Sequence, residues 1–337
     1  MIAVVGATAT GKSDLALRLA GALDGEVISA DSMQLYQGMD IGTGKLSAAE
    51  RRGVPHHLLG IWDVTRTASA SEYQRLARAV IADIQGRGGT AILAGGSGLY
   101  VRAVIDDLRF PGTDPGIRTR LESELAAVGP GVLHARLAAA DPPAAAAILP
   151  SNGRRVVRAL EVIELSGRPF SASMPGYEAV LPAVQLGLVV PRDVLDQRIA
   201  RRVRSMWRDG LVEEVRALAG AGDPGGGLRA GLTASRALGY RQILRFLDGQ
   251  CTEAEAEAET VRATRRFARR QESWFRRDPR VRWLAATEPV PVPAALAALR
   301  WPQGPGGQEA PGGQEGPGGP GMPNGPGGPD GQSGPAG

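Results

Sequence analysis

Met1-Ile2-Ala3-Val4-Val5-Gly6-Ala7-Thr8-Ala9-Thr10-Gly11-Lys12-Ser13 decides how this chain folds. An apolar run of strand length leads into Gly6 to Ser13, a Gly-x4-Gly-Lys-Ser loop, and helical spacing follows to Leu23. The glycines allow the backbone to curl so that successive N–H groups point inward, and the new helix adds its own unpaired amides and positive dipole end. Such a loop cradles a di- or triphosphate. Gly6, Ala7, Thr8, Ala9, Thr10 and Gly11 supply the cradle, Lys12 a point charge on the terminal phosphate, and Ser13 a hydroxyl for a Mg²⁺ ion.

Working outward, residues 1–110 alternate strand-like with helix-like segments. Strands are expected at Ile2–Val5, Glu26–Ser29 and Thr90–Ala94, and helices at Lys12–Leu23 and Ser71–Gln85. The fold class is therefore α/β, a P-loop-type core with a mainly parallel sheet. Each strand ends in small or polar residues: Gly6, then Ala30-Asp31-Ser32, then Gly95-Gly96-Ser97-Gly98. Ligands gather at the carboxyl ends of strands in open sheets, so these segments should share one edge.

From Pro111 to Tyr177 the pattern is helical, alanine-rich and punctuated by prolines, with helices expected over Glu122–Ala147 and Gly153–Ser166. Val184–Val190 reads as a strand returning to the sheet, Arg192–Ala219, Thr233–Leu247 and Ala254–Arg277 as helices, and Val281–Leu284 as a last strand. The expected organisation is a catalytic core with C-terminal helices from 1–112 and 178–301, an α-helical insertion domain at 113–177, and a Gly/Pro-rich tail at 302–337. The tail has almost nothing to bury and should be disordered.

Composition narrows the function. The chain has 337 residues and a net charge of only +4, but its arginines cluster at 154–168, 192–208 and 262–282. That distribution suits an anionic partner larger than a metabolite. Lysine occurs only at Lys12 and Lys45, so arginine replaces lysine almost everywhere and each single arginine carries less information. One cysteine, Cys251, excludes an intrachain disulfide, and three histidines give little support for a metal cage. No apolar stretch approaches membrane-spanning length, and the chain opens directly on its first strand, so a cytoplasmic location is expected. A monomer is the separate expectation for its oligomeric state.

Two further residues suggest chemistry. Asp31, just past the second strand, can accept a proton from a nucleophile or help hold Mg²⁺, and it is equally suited to capping a helix. Ser97, in a second tight strand-to-helix turn, would project a hydroxyl into the same cleft.

The remaining segments carry a resemblance. Ala30-Asp31-Ser32-Met33-Gln34-Leu35-Tyr36-Gln37-Gly38-Met39-Asp40-Ile41-Gly42-Thr43, Pro55-His56-His57-Leu58-Leu59, Gly95-Gly96-Ser97-Gly98-Leu99-Tyr100 and Arg155-Val156-Val157-Arg158-Ala159-Leu160-Glu161-Val162 occur in this order. Ala237-Leu238-Gly239-Tyr240-Arg241-Gln242 and Thr264-Arg265-Arg266-Phe267-Ala268-Arg269-Arg270-Gln271-Glu272-Ser273-Trp274-Phe275 follow. Over residues 1–285 the chain resembles the bacterial tRNA dimethylallyltransferases, also called tRNA isopentenyltransferases.

The resemblance implies that the loop grips dimethylallyl diphosphate and that the acceptor is the exocyclic amine of the adenosine 3′ of the anticodon, in tRNAs reading codons that begin with U. It implies Asp31 as general base, Lys12 and Ser13 at the leaving oxygens and Mg²⁺, and Arg202 on the diphosphate. It implies Asp31, Ser32, Met33, Gln34, Ser97, Arg118, Arg154, Arg155, Val156, Val157 and Arg158 as contacts to the tRNA anticodon stem-loop. Ser97 stands where this family usually has threonine, Arg154 where it has glutamine and Gly153 where it has proline. The target base would have to flip out of the loop to reach the donor. Met33, Tyr36, Trp207, Phe267 and Trp274 are candidates to stack on it, although such residues are more often core, and His56-His57 reads as turn packing rather than ligation. A P-loop small-molecule kinase, an adenylate dimethylallyltransferase acting on free nucleotide, and a nucleotide-switched RNA-binding protein remain as alternatives.

Overall fold

The computed structural model describes residues 1–173, 176–220, 226–286 and 292–300. The tail expected at 302–337 lies outside the described residues. Six strands, β1 (Ile2–Gly6), β2 (Gly25–Ser29), β3 (His56–His57), β4 (Thr90–Gly95), β5 (Val184–Val189) and β6 (Val281–Ala285), form one sheet in the order β3-β2-β4-β1-β5-β6. Every pairing is parallel, with Ile2 opposite Ile92 and Val184 and Gly6 opposite Leu188.

The helices are α1 (Lys12–Leu23), α2 (Ala70–Gly86), α3 (Gly98–Ile105), α4 (Pro115–Ala140), α5 (Pro142–Ala147) and α6 (Gly153–Ser166). They continue with α7 (Arg192–Arg208), α8 (Leu211–Ala219), α9 (Gly227–Ala230), α10 (Tyr240–Leu247), α11 (Glu253–Phe275) and α12 (Val292–Arg300).

β1 explains why the sheet is covered on both faces. Successive side chains of a strand point to opposite sides. Ala3 and Val5 join one core with Tyr73, Ala77 and Ile81 of α2, while Ile2 and Val4 join the other with Leu15 and Leu19 of α1 and Leu195 and Ile199 of α7. A central strand buried on both sides reads as a continuous apolar run, as Ile2 to Val5 does. A third core is built from α4, α5, α6 and their connecting loop: Leu121, Leu133 and Leu137 pack with Ala144, Ile148, Val156 and Leu160. These helices thus bury an apolar cluster of their own.

Three expected helices are divided, each by identifiable backbone chemistry. The run expected over 122–147 extends back to Pro115, kinks at Gly129-Pro130, where Gly129 has φ 81°, and restarts at Pro142 behind the Asp141 cap. The run expected over 192–219 breaks at Asp209-Gly210, with Gly210 at φ 97°. In the run expected over 233–247, a short 3₁₀ turn at Ala234–Arg236 precedes α10, which starts only after Gly239 at φ 87°. β3 was not expected; two residues are too few to show alternation.

Candidate active site

The phosphate loop joins β1 to α1 with three residues at positive φ, Gly6 (136°), Ala9 (64°) and Gly11 (95°). A Cβ on Gly6 would sit 2.8 Å from the Leu188 carbonyl oxygen, so glycine is required there by the neighbouring strand as well as by φ. Within the loop, Thr10 Oγ1 and Lys12 Nζ both donate to the Ala7 carbonyl oxygen, at 2.9 and 2.5 Å. Ser13 is exposed at the start of α1.

The loop is held from outside by a residue to which the sequence assigned no role. Gln271 of α11 accepts from the Thr8 amide at 2.9 Å and donates to the Gly96 carbonyl oxygen at 2.9 Å. One carboxamide therefore ties the phosphate loop to the turn after β4. A Cβ at Gly96 would collide with Gln271 and one at Gly98 with Trp274, so the glycines let α11 approach.

Asp31 follows β2 and caps no helix. Its Oδ1 accepts the Met33 amide at 2.9 Å in a local turn, while Oδ2 takes no hydrogen bond among the described residues. Ser97 sits before α3 without capping it; its Oγ accepts the Ser32 amide at 3.2 Å, which fixes the turns after β2 and β4 to each other.

A cleft of about 330 Å³ gathers Thr8, Ala9, Asp31, Ser32, Met33, Ser97 and Arg202 at its polar side. Ile199, Val203, Met206, Leu211 and Phe267 give it an apolar wall, and Arg236 and Arg270 reach it from the C-terminal segments. Of that wall, sequence reasoning singles out only Phe267, as a candidate to stack on the target base; the aliphatic residues, Arg236 and Arg270 are not assigned to the site by it.

Charge in the cleft is unevenly balanced. Burial, followed by the nearby Arg202 charge, pushes the Lys12 ammonium down to about 7, against the opposing pull of Asp31. Lys12 is half-buried as a residue, with its ammonium turned inward onto Ala7. Burial also lowers Arg202, again opposed by Asp31. Arg202 makes no hydrogen bond or ion pair among the described residues. Arg202 is half-buried, so its unpaired guanidinium is open to an anionic ligand.

The residues expected to meet RNA divide into two sets. Asp31, Ser32, Met33 and Ser97 line the cleft. Gln34 instead bridges Ser29 Oγ (2.8 Å) and the Thr43 carbonyl oxygen (3.2 Å). Arg154 and Arg155 are exposed on the first turn of α6. The side chains of Val156 and Val157 are 0 % and 2 % exposed in the core formed with α4 and α5, because the apolar stripe of α6 turns inward, so only their backbone could meet RNA. Arg118 and Arg158 both pair with the buried Glu161, and Arg158 also donates to the carbonyl oxygens of Pro111 (2.6 Å) and Gly112 (3.0 Å).

Among the aromatic candidates, Phe267 lines the cleft, Tyr36 is fully buried, and Trp207 and Trp274 pack against the core. His57 Nε2 lies 2.6 Å from Glu26 Oε2 on the sheet's edge strand, and no group of metal-ligating side chains occurs among the described residues.

The family profile described as IPP transferase matches residues 34–278. The chain is 64% identical over 302 residues to the tRNA dimethylallyltransferase of Thermobifida fusca, spanning 88% of this chain and 93% of that one. It is 67% identical over 285 residues to that of Streptomyces avermitilis, spanning 85% and 90%. Among solved structures, the tRNA isopentenylpyrophosphate transferase of Bacillus halodurans is 41% identical with a TM-score of 0.64, over 88% of this chain and 93% of that one. A eukaryotic dimethylallyltransferase acting on tRNA is 26% identical with a TM-score of 0.74, over 89% and 77%.

Proposed function

Because this chain belongs to the IPP transferase family of tRNA dimethylallyltransferases, we propose a role for each group in the cleft. The activity is transfer of a dimethylallyl group from its diphosphate to the exocyclic N6 amine of the adenosine 3′ of the anticodon. We infer that the acceptors are tRNAs reading codons that begin with U.

The chemical problem is a poor nucleophile, since the amine lone pair is delocalised into the purine ring. The allylic C–O bond breaks with its electron pair leaving on diphosphate, the carbon bears positive charge, and the N6–C bond forms as an N6 proton departs. The amides of Gly6–Ser13, with Lys12 and Arg202, take up the charge of the leaving diphosphate. The exposed Ser13 hydroxyl would hold a Mg²⁺ ion, which binds through few protein groups and mainly through phosphate and would add to the neutralisation of the diphosphate charge. Asp31 Oδ2, the carboxylate oxygen without a hydrogen bond, receives the proton, while Oδ1 is fixed on Met33. Ser97 holds the Ser32 turn beside the base, and Ile199, Val203 and Met206 pack against the prenyl methyls.

One observation carries this reading: the unpaired Arg202, an open carboxylate oxygen and an apolar wall meet in a single cleft, with the Lys12 ammonium behind the phosphate loop within electrostatic reach of Arg202 and Asp31. The adenosine reaches it by leaving the anticodon loop. The insertion at 113–177 grips the loop's phosphates through Arg154 and Arg155, with Arg118 and Arg158 bracing that surface. No helix among the described residues is long and apolar enough to cross a membrane.

The test incubates the protein with Mg²⁺, unmodified tRNA and dimethylallyl diphosphate, then digests the RNA and weighs its nucleosides. Dimethylallyl adenosine is expected at that one position. Phosphate transfer from ATP to a metabolite, or prenylation of AMP but not tRNA, would replace this reading.

A further inference from the structure

We propose that Glu214 is a positioning residue for this reaction: it pins the Asp40–Gly44 loop, and the loop sets where Arg202 stands. Glu214 lies on the first turn of α8. Its Oε2 accepts the amides of Asp40 (3.0 Å) and Ile41 (2.7 Å), and its Oε1 accepts the Gly42 amide (3.3 Å) and the Tyr240 hydroxyl. Three consecutive amides converge on one carboxylate, which has no cationic partner among the described residues. An ionised carboxylate is the acceptor best suited to such a cluster of donors. The neighbouring Glu213 is exposed and, among the described residues, pairs only with Arg216, so the two acids have separate tasks.

The loop held in this way is pressed between Tyr240 and Arg202. A Cβ at Gly42 would run into the Tyr240 ring, and one at Gly44, which has φ 61°, would overlap Arg202 Nη2. Gly42 and Thr43 line the same cleft as Asp31 and Arg202. The far end of the loop is tied separately, by Gln34 Nε2 to the Thr43 and Gly44 carbonyl oxygens (3.2 and 3.4 Å) and by Lys45 Nζ to the Tyr36 carbonyl oxygen (2.5 Å). Losing Glu214 therefore releases the Asp40, Ile41 and Gly42 amides, although Asp40 keeps its side-chain tie to Lys45 (2.7 Å). Because the Gly44 amide donates to the Ile41 carbonyl oxygen (3.0 Å), the release is passed to the residue that backs Arg202. The guanidinium that should meet diphosphate then loses its backing wall.

This inference rests on the reading of Arg202 as a diphosphate ligand, and a double-mutant cycle separates the two. Glu214→Gln keeps one carbonyl acceptor and adds an N–H₂ that faces donors. Its KM for dimethylallyl diphosphate should rise about tenfold, with kcat and the KM for tRNA within about twofold of the parent. Glu214→Asp should recover part of the loss and Glu213→Gln should change nothing. Gly44→Ala, which disturbs the same contact without touching Glu214, should give the same donor-specific KM rise and covers the case in which Glu214→Gln folds poorly. Combined with Arg202→Ala, Glu214→Gln should add nothing further. If the two effects multiply, or if kcat and both KM values fall together with the melting temperature, the proposal is overturned. If Arg202→Ala alone leaves the donor KM unchanged, the assignment of Arg202 to diphosphate fails instead.

Discussion

Arginine is used in two opposite ways in this molecule. At the base of the insertion, Glu161 and Asp106 are each 0 % exposed, and each is shared by two arginines: Arg118 and Arg158 on the first, Arg102 and Arg280 on the second. These guanidiniums also take up loose carbonyl oxygens of the connecting segments, Arg158 at Pro111 and Gly112, Arg280 at Tyr177, and Arg102 at Gly176. In the cleft, Arg202 has no carboxylate partner and Lys12 bonds only a loop carbonyl. A sequence shows the same residue type in both places. Only pairing distinguishes cations that hold the fold from cations held in reserve for a ligand.

The largest effect expected from breaking this contrast is at the one carboxylate facing the unpaired cations. Asp31→Asn keeps the Oδ1 contact to Met33 but removes the proton acceptor. We expect kcat to fall by about 10²- to 10⁴-fold, the usual range for a general base, with tRNA affinity measured by filter binding nearly unchanged. An unchanged single-turnover rate would remove Asp31 from that role.

Next come the unpaired cations. Arg202→Ala and Lys12→Ala should each raise the KM for the prenyl donor by about 10- to 100-fold, the scale of one charge-assisted contact. Neither should lower the melting temperature, because each deletes a group that is desolvated without an internal anion. A large loss of stability in either variant would place it with the paired set and collapse the distinction.

Glu161→Ala tests the other side. Burial opposes the charged Glu161 carboxylate, but its bonds to Arg118 and then Arg158 outweigh that and hold its pKa below the ordinary glutamate range. A depressed acid contributes stability above its unfolded pKa and loses it as pH falls through the folded value. Removing it should cost about 2 kcal/mol at pH 7, below the range for fully buried pairs because Arg118 and Arg158 keep partial contact with water. Denaturant titration would measure it. The KM of the folded fraction for the prenyl donor should be unchanged, the reverse of the Arg202 result.

This contrast also explains which parts of the molecule are legible in the sequence. Gly6–Ser13, the five longer strands and the turns carrying Asp31 and Ser97 are read from local pattern, because periodicity and loop chemistry span only a few residues. Arg118, Arg158, Val156 and Val157 were expected at an RNA surface, yet the first two face Glu161 and the last two the insertion core. Such partners are set by tertiary packing. Gln271 bonds residues 263 and 175 positions away, and Glu214 a loop 172 to 174 positions away, so no spacing rule points to either. The breaks at Gly129, Gly210 and Gly239 were each marked by a glycine, but isolated glycines also occur inside intact helices here, as Gly21 in α1 does.

The smallest effect expected separates the cations by protonation alone. Lys12 titrates near 7 in the cleft, held there first by burial and then by Arg202. The arginines of the insertion base stay charged throughout the accessible range. Between pH 6 and 8.5 the free protein should therefore lose the Lys12 charge and no arginine charge. Bound diphosphate favours the protonated amine, so binding should couple to proton uptake and donor affinity should weaken as pH rises through 7. The change cannot exceed that of Lys12→Ala, because a neutral amine still donates a hydrogen bond. A drop of about fivefold, near 1 kcal/mol, is expected. Isothermal titration with the unreactive thiodiphosphate analogue in two buffers of different ionisation heat would measure affinity and proton uptake together. Lys12→Arg, which cannot lose its charge, should flatten the profile. A slope that survives Lys12→Arg would belong to the diphosphate itself, and the charge held in reserve would then reside on Arg202 alone.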